Sequence, residues 1–156
     1  MPDTPQALAD RLRKEGARVI DFFNNLNQEQ WDAYIYMEES LWSLHDLLAH
    51  FVSSEIGRKN LIIDIASGGK GASPDFEIDR FNQQEVARLM VESNSELLHR
   101  YTRERNYLIK FVSNLQPQDL DHIGNDPFLG EVPLSEIIKL TYRHLQIHLR
   151  DARRCL

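Results

Sequence analysis

Apolar residues recur every three or four positions through most of this chain, in four stretches separated by one aromatic-rich break and two that carry proline and glycine. A helix turns ~100° per residue, so this spacing gathers them on one side of each helix, and that side must be buried against another element. Thr4 followed by Pro5 predicts the first start: a capping hydroxyl, then a residue whose missing N–H costs nothing there. Leu8, Leu12, Val19, Phe22, Phe23 and Leu26 then form one stripe, closing near Leu26 among asparagines. Ser43 with Asp46 three residues later has the form of a capping box, Asp standing in for the usual Glu or Gln. The helix it opens carries Leu47, Leu48, Phe51, Val52 and Ile56, continues to Ile65, and ends at Ser67-Gly68-Gly69. Asn82 and Glu85 predict a third, long helix with apolar positions from Val86 to Leu115, stopped by Gln116-Pro117. The fourth runs from about Leu134 to Arg153, with Ile137, Ile138, Leu140, Leu145 and Leu149 on its apolar side.

Residues 28–42 are aromatic-rich (Trp31, Tyr34, Tyr36, Trp42) and read as a connection with at most a short helical turn, their rings serving core packing. Residues 67–81 and 116–133 are long, turn-rich connections. With no strand alternation and no repeat, the expectation is an all-α four-helix bundle forming a single domain over residues 1–156. The long links between helices two and three and between three and four let helix two lie beside helix four.

At 156 residues the chain is long enough to bury a core unaided. A net charge of −6 argues against nucleic acid as a partner, because phosphate contacts need a basic footprint. The basic residues near the C-terminus (Arg143, Arg150, Arg153, Arg154) suit the negative end of a helix dipole instead. No apolar run approaches membrane-spanning length, and the N-terminal stretch is too charged for a secretory signal. The lone Cys155 has no internal disulfide partner, which suits a reducing, cytoplasmic setting. Its penultimate position also makes it a poor nucleophile candidate.

Against this background the histidines stand out. His144 and His148 are four apart, hence ~40° apart on one helical face, a spacing at which two imidazoles can hold one transition metal. His50, in the apolar part of helix two, is the third ligand if the two helices meet. The residue after His144 is Leu145, not the Glu that zinc peptidases use as a base, which disfavours peptide hydrolysis of that type. His45, His99 and His122 read as structural or exposed. Glu55, Asp151 or a tyrosine are the candidates for a proton-transfer role, and Asp151 also for orienting a ligand histidine.

The run Trp42-Ser43-Leu44-His45-Asp46-Leu47-Leu48-Ala49-His50-Phe51 and the run Tyr142-Arg143-His144-Leu145-Gln146-Ile147-His148 together resemble the DinB/YfiT-like four-helix-bundle superfamily. Ser54 stands where relatives frequently carry an aromatic. The resemblance implies a divalent metal, zinc or nickel, on His50, His144 and His148 with an open position, and homodimerisation. It does not imply DNA binding. Two chemistries fit such a site: a metal-dependent hydrolase, or a transferase that uses a low-molecular-weight thiol on a small-molecule substrate. The alternative is a non-catalytic stress-response or ligand-binding bundle with a structural or opportunistic metal.

Overall fold

The structure is a computed structural model that describes residues 2–37 and 40–156. Four long helices build a bundle: α1 (Pro5–Asn24), α3 (Leu44–Ala66), α5 (Asn94–Ser113) and α6 (Leu134–Arg154). The short α2 (Gln28–Trp31) follows α1, and α4 (Ile78–Leu89) lies against α3. Around the bundle α1 packs on α5, α5 on α3, α3 on α6, and α6 back on α1. The sequence-based expectation of an all-α bundle with helices two and four side by side is met, helix four being α6.

The predicted caps of α1 and α3 are in place, whereas α4 opens at Ile78, ahead of the start predicted at Asn82. Thr4 Oγ1 accepts from Ala7 N–H at 3.1 Å. Ser43 and Asp46 form the reciprocal capping box of α3, each side chain accepting the other's backbone N–H at 3.1 Å. Residues of the four stripes fill two buried clusters along the bundle. One gathers Phe23, Leu47, Phe51, Tyr101 and Leu149; the other gathers Leu12, Ile62, Leu108, Ile137 and Tyr142.

Two expectations need correction. The long third helix is two helices: α4 ends at Leu89 and α5 starts at Asn94, with Ser93 Oγ accepting from Glu96 N–H at 3.1 Å. His45 of α3 fixes the break, with Nε2 2.7 Å from the Met90 carbonyl and Nδ1 hydrogen-bonded to the Asn94 side-chain amide. The connections also contain strands. β1 (Tyr34–Met37) pairs antiparallel with β2 (Ser40–Ser43), and β3 (Ile123–Asp126) with β4 (Gly130–Pro133). A 3₁₀ helix, Pro117–Asp121, leads into β3.

Of the aromatic connection, Trp31 stacks on Phe23 with ring centres 5.3 Å apart, and Trp42 is buried, so both pack as expected. Tyr34 is exposed, while the Tyr36 side chain lies outside the described part of the structure. Among the described residues, no helix is long and apolar enough to cross a membrane.

Candidate metal centre

His50 lies in the second turn of α3, and His144 and His148 lie one turn apart on α6. The two helices run antiparallel: Arg58, two turns past His50, donates to the Ile137 carbonyl at 2.9 Å, two turns before His144. That register brings the three imidazoles together. The His50 ring centre is 5.7 Å from that of His144 and 5.4 Å from that of His148. The Nε2 atoms of His144 and His148 are 2.8 Å apart. One nitrogen from each of the three falls within 4.8 Å of the other two. A divalent ion bonded at ~2.0–2.1 Å to each of three imidazoles holds their nitrogens ~3–3.5 Å apart. Small ring rotations close the remaining gap, so this donor set fits such an ion.

The walls around the imidazoles are apolar. Trp42 is 5.0 Å from the His50 ring, and Phe51 is 6.0 Å from that of His148. His50 and His148 are buried, whereas His144 is half-buried and faces Phe128 at 5.7 Å. Surroundings of low polarity strengthen any electrostatic interaction at the nitrogens, because little water competes for them.

A cavity of about 410 Å³ opens from His50 and His144 along α3 as far as Asp64. Phe76, Phe81 and Asn82 from the start of α4 form one wall, and Pro127 and Phe128 from the β3–β4 turn form part of another. The turn is held by a buried ion pair, Arg58 to Asp126 Oδ2 at 2.5 Å, while Asp126 Oδ1 accepts the N–H groups of Phe128 and Leu129. Burial pulls the Arg58 guanidinium below its ordinary value, and Asp126 opposes that shift. The rim is tied to β3 as well: Asn125 N–H donates to the Lys70 carbonyl, and Ala72 N–H to the Asn125 carbonyl, both at 2.8 Å.

Glu55 is spent on Arg105, whose Nε and Nη2 reach the two carboxylate oxygens at 2.5 and 2.8 Å in the core between α3 and α5. Burial lowers the Arg105 guanidinium, but Glu55, Tyr101 and Glu15 together hold it raised. Burial likewise pushes up the Tyr101 phenol above this pair, removing it as a ready proton donor. Asp151 is half-exposed and sits 3.6 Å from Arg150. His122 Nδ1 meets the Ile65 carbonyl at 3.1 Å, and His99 is exposed, both in keeping with structural or surface roles.

Sequence reasoning missed Arg58, Asp126, Ser53 and Phe128. Arg58 is followed by Lys59 and Asn60, and no local signal says which of the three turns inward. Asp126-Pro127 did mark a turn, but not the partner that the carboxylate would find.

The sequence matches the model of the DinB superfamily over residues 38–152. No curated protein matches it. Among solved structures it superposes on a mycothiol-dependent maleylpyruvate isomerase with a TM-score of 0.78 at 16% identity, covering 96% of this chain. The chain spans 61% of the length of that isomerase. An uncharacterised protein from Clostridium difficile 630 gives a TM-score of 0.73 at 14% identity, over 99% of this chain and 96% of its own. The colibactin self-resistance protein ClbS, solved in complex with double-stranded DNA, gives 0.74 at 12% identity, over 100% and 99%. At such identities the likeness is one of fold.

Proposed function

The chain belongs to the DinB superfamily, and from that premise we propose that it is a metal-dependent enzyme acting on a small molecule with a low-molecular-weight thiol as co-substrate. His50, His144 and His148 are the ligands in this reading, and zinc or nickel is the ion. The observation that carries it is the convergence of three imidazoles from two helices at the inner end of a cavity of substrate size. A divalent ion there supplies a Lewis-acid centre that favours the deprotonated form of a coordinating thiol.

The residues around the centre divide the remaining work. Trp42 and Phe51 wall in His50 and His148 and keep water from the nitrogens. Arg58, through Asp126, seats the β3–β4 turn so that Phe128 covers His144. Glu55 and Asp126 are each engaged by a buried arginine. Thiol addition to an electrophile asks less of a carboxylate proton shuttle than hydrolysis does, which is why it is the preferred reading. The isomerase with a similar fold, whose name specifies mycothiol, lends the thiol further support.

Metal-loaded protein assayed with a panel of thiols and an electrophile such as 1-chloro-2,4-dinitrobenzene tests this. Conjugation should require both thiol and metal, and His148→Ala should abolish it. Turnover of nitrophenyl esters without any thiol would instead establish a hydrolase. A stoichiometric metal with no turnover of either kind would favour a binding module.

A further inference from the structure

Between His50 and Asp64 the side of α3 that faces the cavity carries small residues: Ser53, Ser54 and Gly57. Glycine is a poor choice for a helix interior, so its presence there asks for a reason. Packing supplies none, because a Cβ added at Gly57 meets nothing within 4 Å. The space it would enter is the cavity.

Ser53 gives a second, independent indication. It lies one turn beyond His50, is 2% exposed, and its Oγ has no hydrogen-bond partner among the described residues. Other hydroxyls in these helices return to a carbonyl of their own helix: Thr102 to Leu98 at 2.8 Å, and Thr141 to Ile137 at 3.0 Å. A buried hydroxyl without a partner is unfavourable unless a ligand supplies one.

The charges that line the cavity already have partners. Arg58, the cation among its described lining residues, is engaged by Asp126, the Ile137 carbonyl and Thr141. Asp64, at the outer end, is exposed and accepts Gly71 N–H at 3.1 Å. Between the ends Leu61, Ile78 and Phe81 line the walls beside the neutral Asn60 and Asn82, with Phe76 set 5.3 Å from the Phe81 ring. Along the helix axis, His50 to Asp64 spans ~20 Å.

We propose that this slot takes the uncharged, elongated alkyl or aryl tail of the substrate, with Gly57 left bare to admit it and Ser53 hydrogen-bonding the polar group that joins tail to head. The proposal rests on the reading above only in placing the reacting head at the histidines. It predicts discrimination by chain length and against charged tails.

Straight-chain hydroxamates of two to eight carbons, titrated calorimetrically into protein of measured metal content, test it. Each added methylene should tighten binding about four-fold while the chain stays within the slot. A terminal carboxylate on the eight-carbon chain should weaken binding at least ~10-fold, since the slot offers it no spare cation. Gly57→Leu should flatten the length dependence without changing metal content. Ser53→Ala should weaken every member about equally and keep the slope. The 1-alkanols from butanol to octanol, read by backbone amide shifts on metal-stripped protein, report on the slot without the metal. Alkanol binding that strengthens with length in protein that never held metal would uphold the slot and overturn only the metal reading. Metal held normally with length-independent hydroxamate and alkanol binding, or an unchanged slope in Gly57→Leu, would overturn the slot.

Discussion

Arg58 on α3 and Asp126 at the end of β3 form an ion pair at 2.5 Å, with the Asp126 side chain fully buried. One contact thus ties the helix bearing His50 to the turn that holds Phe128 over His144. Removing either partner strands a buried charge, which costs about 3–5 kcal/mol. Asp126→Ala should therefore lower unfolding stability by about that amount in urea titration. The double variant Arg58→Met with Asp126→Leu should lose less than the sum of the two single changes, because neither charge is left unpaired.

Glu55 and Arg105 make the second buried pair, and it serves the bundle rather than the chemistry. Arg105→Ala should cost about 3–5 kcal/mol, since it also removes the donor to the Leu12 carbonyl at 2.9 Å. Glu55→Gln should likewise be less stable, yet its folded fraction should bind metal as wild type does. Metal analysis of the folded material checks the second point, and a selective loss there would return Glu55 to the site.

His45 closes the gap between α4 and α5 through Met90 and Asn94. His45→Ala should destabilise the fold by about 1–3 kcal/mol and speed amide exchange around residues 90–94 before other regions. Hydrogen exchange followed residue by residue would show this local release. Uniform acceleration across the chain would mean that His45 supports the whole bundle instead.

Gly71 adopts φ +89°, and a Cβ there would stand 2.5 Å from the Asn125 carbonyl oxygen and 2.6 Å from its nitrogen. Gly71→Ala should thus cost about 1–3 kcal/mol and loosen the rim that pairs with β3. Gly57→Ala, on a regular helix with open space beyond it, should instead raise stability by up to about 1 kcal/mol. Thermal unfolding of the two variants side by side reads the contrast.

The helices were legible because caps and stripes are local. Thr4-Pro5 and Ser43 with Asp46 announce their starts, and the buried faces repeat at the helical period. The break between α4 and α5 was not legible, because Met90 and Leu97, like Val91 and Leu98, stand seven apart, about 20° from one helical phase, and the stripe continues across it. The clamp from His45 is set by tertiary packing, which periodicity does not encode. Strands of four residues were missed for a related reason: each is too short to show alternation, and β3–β4 depends on an Asp126 turn anchored by a distant arginine. At the site, the spacing of His144 and His148 and the setting of His50 marked the triad. The cavity beside it needed the packing of α4 on α3, and no spacing along the chain reports that.

The central claim is that His50, His144 and His148 hold one divalent ion. Elemental analysis of untagged protein, after loading with zinc or nickel and removal of free ion, tests it most directly. Wild type should retain about one ion per chain, and His148→Ala should retain almost none while keeping its helical circular dichroism. Sub-stoichiometric metal in wild type, or undiminished metal in His148→Ala, would contradict the account.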